Sequence, residues 1–177
     1  MVRAQSVTDT LVYTYNGDGL LVAQSENTNV ARYTWDLAIG LPQLLSDGSA
    51  LYLPDVGQWD GQQWSYYLLD ALGSVRQLSG EQGYVVQQYE YAPFGEPLAA
   101  EGGRTSLLRY TGEMWDGNLG MVYLRARWYT PQVSRFVSPD TIAPNPRNPS
   151  SIRWAAPAIG QTVTGLWTYA GRQLPAQ

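Results

Sequence analysis

Short stretches in which apolar and polar residues alternate run along most of the chain, and turn-forming residues separate them. Alternation with a period of two is typical of β-strands with one buried face, and no segment keeps helical apolar spacing over about ten positions. Asp47-Gly48 and Asp60-Gly61 predict two-residue hairpin turns in which both residues take a positive φ. Residues 80–83 predict a longer hairpin loop between strands at 75–78 and 84–91. The pattern therefore predicts an all-β fold.

A weak internal repeat underlies these hairpins. Each copy begins with a tyrosine, carries an aromatic or apolar residue two positions later, and continues into a turn; in the second copy the glycine, Gly40, comes one residue late. An interval of roughly twenty residues is typical of stacked supersecondary units. The repeat motif consists of Tyr13, Tyr15 and Gly19; Tyr33, Trp35 and Asp36; Tyr67, Asp70 and Gly73; and Tyr89, Tyr91 and Gly95.

The residue types of the repeat predict its geometry. Side chains at i and i+2 lie on the same face of a strand, so each copy with an aromatic residue at the second position presents two rings to one face. An Asp or Asn accepts hydrogen bonds from the following backbone, and a Gly supplies the positive φ that ends the turn. We therefore expect aromatic pairs that stack from copy to copy, on a face that only neighbouring copies can cover.

The composition excludes much enzyme chemistry. The 177 residues include no His, no Cys and no Lys, so all eleven positive charges are arginines. A Ser-His-Asp triad, an ordinary zinc or haem site, a Schiff base and a P-loop lysine are each excluded. We therefore expect no cofactor and no metal.

Charge is distributed unevenly between the two parts of the chain. Residues 1–100 hold three Arg and eleven acids, and the remaining residues hold eight Arg and four acids. Because the arginines are scattered among aromatic residues, we interpret the imbalance as charges that offset each other in the fold, and we expect no nucleic-acid partner. No apolar run has the length of a signal peptide or a membrane span, so we expect no membrane insertion.

An ordered set of motifs follows the repeats. It reads Y-T-G-E-M-W-D at 110–116, G-M-V-Y-L-R-A-R-W-Y-T-P at 120–131 and S-R-F-V-S-P-D at 134–140. Together with the repeats, these motifs resemble the YD-repeat and RHS-repeat proteins, in particular their RHS repeat-associated core, over about residues 10–149. The residues that match the core motif are Tyr110, Gly112, Asp116, Gly120, Tyr123, Leu124, Arg127, Tyr129, Pro131, Arg135, Phe136 and Asp140.

The resemblance implies three regions: repeat hairpins at 1–108, a core segment at 109–142, and a Pro-rich linker with an irregular tail at 143–177. Complete members wind such hairpins into a curved, spiralling β-sheet shell that encloses a C-terminal toxin or mediates cell contact. The resemblance thus implies a non-enzymatic scaffold module of an exported or cell-surface protein. The implied partners are upstream YD repeats, a C-terminal toxin domain, and a glycan or cell-surface receptor.

One turn departs from the family pattern. Thr130 stands where the family has Asp before Pro131, and Ser134 stands where it has Gly. A serine held at positive φ costs about 1 kcal/mol or more, so we expect this turn to be less stable than in the family.

Two interpretations of the core arginines stay open. Arg125 and Arg127 alternate with Tyr123 and Tyr129, which on a single strand predicts one Arg-Tyr face. That face could bind an anion, a sugar or a peptide, or its guanidinium groups could pack on tyrosines as structural contacts. Arg135 next to Phe136 is interpreted as a strand-end element in which the guanidinium satisfies backbone carbonyls.

Two alternative functions also stay open. In some members of the resembled family the core cleaves its own chain with aspartates, which makes Asp140 and a partner such as Asp116 the candidate catalytic pair. The seven Trp and thirteen Tyr also fit a carbohydrate-binding β module in which exposed rings stack on sugars. The aspartates that precede glycines are interpreted as turn residues rather than calcium ligands.

Overall fold

The computed structural model describes residues 2–5, 10–38, 40–139, 168–169 and 172–173. Within these residues the chain forms antiparallel β-strands, two short 3-10 turns at Tyr110–Gly112 and Pro131–Val133, and no α-helix. The all-β prediction is confirmed. A helix long and apolar enough to cross a membrane does not occur among the described residues.

Two compact units make up the chain. Unit 1 holds the described residues up to Leu51 and the short strand pair near the C-terminus, and unit 2 holds the described residues from Tyr52 to 139. The predicted boundary at 108/109 lies inside unit 2, and the boundary at 142/143 and the Pro-rich linker after it lie outside the described residues. Both boundaries stay predictions.

Unit 1 contains one sheet and one hairpin. The sheet has the order β18-β17-β1-β2-β3-β4, and β5 pairs with β6. In its core, Gln24 Nε2 donates to the Tyr13 hydroxyl (3.3 Å), and the Tyr33 hydroxyl donates to Gln24 Oε1 (2.6 Å). The strands are β1 (Val2–Gln5), β2 (Thr10–Tyr15), β3 (Leu21–Glu26), β4 (Asn29–Arg32), β5 (Thr34–Asp36), β6 (Gln43–Ser46), β17 (Thr168–Tyr169) and β18 (Arg172–Gln173).

Unit 2 contains two antiparallel sheets. In the first, the strands from β7 to β12 are neighbours in chain order, and in the second the order is β13-β14-β15-β16. The strands are β7 (Leu51–Leu53), β8 (Gly57–Trp59), β9 (Trp64–Leu69), β10 (Val75–Gly80), β11 (Val85–Tyr91), β12 (Pro97–Gly102), β13 (Met114–Asp116), β14 (Met121–Leu124), β15 (Arg127–Thr130) and β16 (Arg135–Phe136). The predicted hairpin around residues 80–83 is confirmed, because β10 pairs with β11.

The repeat turns have the predicted chemistry. Asn16 Oδ1 accepts from the backbone amides of Asp18 and Leu20 (3.0 and 2.8 Å), and Gly19 closes the turn at φ +80°. Asp70 Oδ1 likewise accepts from Leu72 and Ser74 (both 2.9 Å). In each turn the backbone amide of the glycine also donates to the carbonyl of the first turn residue. A turn closed by a glycine at positive φ adds one residue to the strand and produces a bulge.

The prediction of two-residue Asp-Gly hairpins is wrong. The strand pairs that flank these turns are Ser46↔Leu51 and Trp59↔Trp64, so each turn contains four residues. Only the glycine of each dipeptide has a positive φ. The reason is that each aspartate accepts two backbone amides, as Asp60 does from Gln62 and Gln63 (both 2.9 Å), which closes a wider turn. These amides hold the pKa of the Asp60 carboxyl below its usual value.

Aromatic stacking from copy to copy is also not found in unit 2. Tyr67 and Tyr89 lie on β9 and β11, with β10 between them. Two strand spacings amount to about 10 Å, beyond the reach of ring contact. Rings do stack within a copy, since the Tyr89 and Tyr91 centroids lie 6.4 Å apart.

Candidate functional site

The feature that brings predicted repeat residues and core residues together is a segment that crosses the first sheet of unit 2. After β12 the chain turns back, and residues 104–112, here called the crossing segment, run over strands β8 to β11. Thr105 O accepts from Gln58 Nε2 on β8 (2.7 Å), and Arg104 Nη1 donates to Ser65 Oγ on β9 (2.7 Å). Arg109 O accepts from the backbone amide of Val75 on β10 (2.9 Å). The crossing segment therefore ties neighbouring strands together.

The repeat tyrosines of unit 2 supply the buried anchors for this segment. The Tyr89 hydroxyl accepts from the Ser106 backbone amide (2.8 Å), and both residues are buried. The Tyr67 hydroxyl donates to Gln58 Oε1 (3.2 Å) and lies 3.4 Å from Ser106 Oγ. Burial raises the pKa of both tyrosines, because the ionised phenolate would lose its hydration. The rings form core, and their hydroxyls hold the crossing segment.

Arg109 joins the repeat sheet to the second sheet. Its guanidinium carbon lies 4.8 Å from the centre of the Tyr89 ring and 6.0 Å from that of Trp115 on β13. Its Nε donates to Ser106 O (3.0 Å), which fixes the side chain between the two rings. This supports the structural interpretation of guanidinium–aromatic packing, at an arginine that the sequence did not single out.

The Tyr-x-Gly part of the core motif sits on the turns of two repeats. The Tyr110 hydroxyl donates to Pro93 O (3.0 Å), and its ring covers Gly95 so closely that a Cβ there would collide with it. Gly112 lies against the Gly73 carbonyl: a Cβ added to Gly112 would be 3.2 Å from that carbonyl oxygen. Between them, the Thr111 amide donates to Ser74 Oγ (3.0 Å). The glycines of both motifs are required at this contact because they leave room for backbone and ring.

The other described residues of the core motif lie on the strands of the second sheet and in its turns. Asp116 is buried, and its Oδ1 accepts from the amides of Asn118 and Leu119 (2.8 and 3.1 Å) in the turn that ends at Gly120. Tyr123 is buried opposite Trp128, and Leu124 pairs with Arg127. Pro131 begins a 3-10 turn.

The prediction of a single strand with an Arg-Tyr face is wrong. Residues 121–130 form the hairpin of β14 and β15, and Arg125 sits in its turn at φ +57°. An ion pair between Arg125 and Glu113 holds that turn residue. Arg127 points elsewhere, with its guanidinium carbon 3.7 Å from the centre of the Phe136 ring. The shared face proposed for an anion, a sugar or a peptide does not exist.

The end of the core motif has the expected backbone strain. Ser134 adopts φ +55° and ψ +41°, the left-handed conformation that its family position reserves for glycine. The Tyr129 hydroxyl reaches back to Phe94 O (2.9 Å). The prediction that the Arg135 guanidinium satisfies backbone carbonyls is wrong for the described residues, where Arg135 is exposed on β16 and donates to no carbonyl. The guanidinium that packs on Phe136 belongs to Arg127.

The described residues singled out for the two alternative functions take part in a turn and in the core. Asp140 lies outside the described residues, and Asp116 acts as a turn acceptor. The leading tyrosines Tyr13, Tyr33 and Tyr89 are 1%, 7% and 1% exposed, so they offer no platform for a sugar. Within the described residues no three His, Cys, Asp or Glu side chains converge as metal ligands.

Sequence reasoning missed the polar partners of the tyrosines. Gln58, Ser65, Ser74 and Ser106 are all buried, and each bonds to the crossing segment or lies on it. For Gln58 and Ser65, their position on the strands was a signal that could have been used. The two residues pair across β8 and β9 and lie on the sheet face that carries Tyr67. A polar residue on a buried strand face needs a partner, and that partner came from a distant part of the chain.

Comparison with known proteins gives a family and a fold. The family model described as Teneurin YD-shell matches residues 52–154. In solved structures, the chain superposes on the TcdB2-TccC3-Cdc42 structure with a TM-score of 0.60 at 18% identity, over 78% of this chain and 8% of that one. The Photorhabdus luminescens Tc holotoxin pore gives a TM-score of 0.59 at 17% identity, over 90% of this chain and 10% of that one. At these identities the match concerns the fold.

Sequence relatives are much longer proteins. The double-stranded DNA deaminase toxin A of Burkholderia cenocepacia is 29% identical over 129 residues, 63% of this chain and 9% of the relative. The tRNA3(Ser)-specific nuclease WapA of Bacillus spizizenii is 29% identical over 142 residues, 72% of this chain and 6% of the relative. The salivary gland surface protein 1 of Aedes aegypti is 39% identical over 80 residues, 42% of this chain and 2% of the relative. The chain therefore spans less than a tenth of the length of these relatives.

Proposed function

The chain belongs to the teneurin YD-shell family, and from that membership we propose that it forms part of the wall of a larger shell and performs no catalysis itself. The wall is built from repeat hairpins that further YD repeats extend. The observation that supports this proposal is the crossing segment. Its bonds to the buried hydroxyls of Tyr67 and Tyr89 use buried polar groups for holding strands together rather than for chemistry.

The contents of the shell form the second part of the proposal. Two relatives are named as toxins or nucleases that act on nucleic acid, and the matched segment is a small share of each. We infer that the catalytic activity belongs to a separate C-terminal domain, which the shell encloses or presents. We further propose that the complete protein is exported or held at the cell surface, and the likeness of the fold to the Tc holotoxin pore supports this.

Protease protection in the complete protein tests this function. Its coding region, followed in both directions from this chain, should contain upstream YD repeats and a downstream toxin-like domain in one frame. Under native conditions, trypsin should leave that C-terminal domain intact in the wild type. Arg109→Met, which removes the guanidinium between Tyr89 and Trp115, should open the wall and expose the domain. Arg135→Met, at an exposed arginine of β16, is the matched control and should keep the protection.

Two results would contradict the proposal. If trypsin digests the C-terminal domain of the wild type as fast as that of Arg109→Met, this wall does not enclose the domain. Cleavage of the purified chain into two fragments near residue 140, abolished by Asp140→Asn, would assign catalysis to the core itself. An intact chain in that incubation agrees with a wall without catalytic function.

A further inference from the structure

The β2–β3 turn of unit 1 carries the one Asn-Gly dipeptide of the sequence, Asn16-Gly17. Residues 16–19 are exposed, so water and hydroxide reach the turn freely. The matching turns of unit 2 begin with Asp70 and Ala92 and therefore hold no side-chain amide at this place. Asn16 thus differs chemically from the residues that occupy the equivalent positions.

Hydrogen bonds fix the direction of the Asn16 side chain. Its Oδ1 accepts from the amides of Asp18 and Leu20 (3.0 and 2.8 Å), so the carboxamide points forward along the chain, over the turn. The amide nitrogen of Gly17, the next residue in the chain, is the atom that can close a five-membered ring with Cγ. The two donors also face the oxygen that gains negative charge if that nitrogen attacks. Hydrogen bonds to a charged acceptor are stronger than those to a neutral carbonyl, so the donors favour the transition state over the resting amide.

Gly17 presents little obstacle to such an attack. It has no side chain, and nothing lies within 4 Å of the place where a Cβ would be. The other described asparagines are less favourable, because Asn27 and Asn29 precede the β-branched Thr28 and Val30, and Asn118 precedes Leu119. Branched or bulky side chains hinder approach to the backbone nitrogen.

We propose that Asn16 is a site of spontaneous deamidation. The Gly17 nitrogen forms a bond to Asn16 Cγ and gives up its proton. The Cγ–Nδ2 bond breaks, and Nδ2, which gains a proton in exchange, leaves as ammonia. Water then opens the resulting succinimide at either carbonyl: its hydroxyl goes to the carbonyl carbon and its hydrogen to the ring nitrogen. The products are aspartate and isoaspartate, and the reaction consumes only water.

The two products affect the turn differently. Aspartate keeps an oxygen acceptor for the two amides and gives this turn the residue that Asp70 supplies in unit 2. Isoaspartate lengthens the backbone by one methylene and displaces the acceptor, so the amide of the buried Leu20 loses its partner. Unpaired backbone amides near a core destabilise it. The end of the β2–β3 hairpin therefore weakens in the fraction that forms isoaspartate.

Peptide mapping by mass spectrometry tests the proposal on the full chain. After incubation in mildly alkaline buffer, Asn16 should gain about 1 Da (the exchange of NH2 for OH) roughly tenfold or more faster than Asn27 or Asn118, a ratio equivalent to about 1.4 kcal/mol of barrier. Gly17→Ala is the matched variant. The open space at its Cβ leaves the fold unchanged, and the added methyl should slow conversion of Asn16 by a similar factor. Circular dichroism verifies that the variant is folded. Equal rates at Asn16 and Asn118, or an unchanged rate in folded Gly17→Ala, would overturn the proposal.

Discussion

Replacing Tyr89 by Phe isolates one bond of the crossing segment. The change removes a single oxygen and keeps the ring, which is 1% exposed and carries the Arg109 guanidinium 4.8 Å from its centre. The Ser106 amide then loses the acceptor that lies 2.8 Å away. Because Ser106 is 3% exposed, water cannot replace that acceptor without opening the segment.

The expected cost follows from this burial. A typical hydrogen bond contributes about 1 kcal/mol, but a buried donor left without a partner costs about 1–3 kcal/mol. We therefore expect Tyr89→Phe to lower the free energy of unfolding by about 2 kcal/mol. Urea denaturation followed by tryptophan fluorescence measures this as a lower midpoint at an unchanged slope. Tyr84→Phe is the matched control, since Tyr84 is 76% exposed and the same change there should cost less than about 0.5 kcal/mol.

Two outcomes would refute this reasoning. Equal midpoints for Tyr89→Phe and wild type mean that Ser106 does not depend on the tyrosine hydroxyl. Equal losses in Tyr89→Phe and Tyr84→Phe mean that the effect does not arise from the buried bond.

Three further predictions concern strain and ionisation. Gly95→Ala should lower the stability of the fold in thermal unfolding by more than about 2 kcal/mol, because the new methyl meets the Tyr110 ring. Gly61→Ala is the control: it has a similar φ but open space around it, and it should cost only about 1 kcal/mol. Ser134→Gly should stabilise by about 1 kcal/mol in urea titrations by relieving its positive φ, and a loss of stability would contradict the strain. Burial raises the pKa of the Tyr67 hydroxyl in the folded state. The stability that this shift contributes is fully present below the unfolded pKa of about 10, and it is lost as the pH rises towards the folded pKa. Urea midpoints should therefore fall above about pH 10, and less steeply in Tyr67→Phe; equal slopes would contradict the burial of this hydroxyl.

Local features of the fold were predictable from the sequence because local chemistry determines them. The Asn16 and Asp70 turns follow from side-chain acceptors and glycines a few residues apart. The left-handed conformation of Ser134 follows from a family position that requires it. Hairpin existence was likewise predictable, whereas turn length was not, because Asp60 can accept two amides only in a wider turn.

The crossing segment was not predictable because it depends on contacts between distant residues. Nothing local indicates that Ser106 approaches Tyr89, 17 residues earlier, or that Thr105 meets Gln58, 47 residues earlier. The alternation of Arg and Tyr predicted a single strand, and this prediction is wrong for a related reason. An ion pair to Glu113, which lies outside that stretch, stabilises a turn at Arg125 that alternation cannot reveal.

Amide hydrogen exchange on the full chain measures most directly whether the crossing segment locks the repeat sheet. The donors to watch are the backbone amides of Ser106 and Thr111, whose acceptors are the Tyr89 hydroxyl and Ser74 Oγ. We predict that both exchange as slowly as the β10 amide of Leu78, at the centre of the sheet. Exchange of Ser106 and Thr111 at the rate of exposed loop amides, while Leu78 stays protected, would contradict this role.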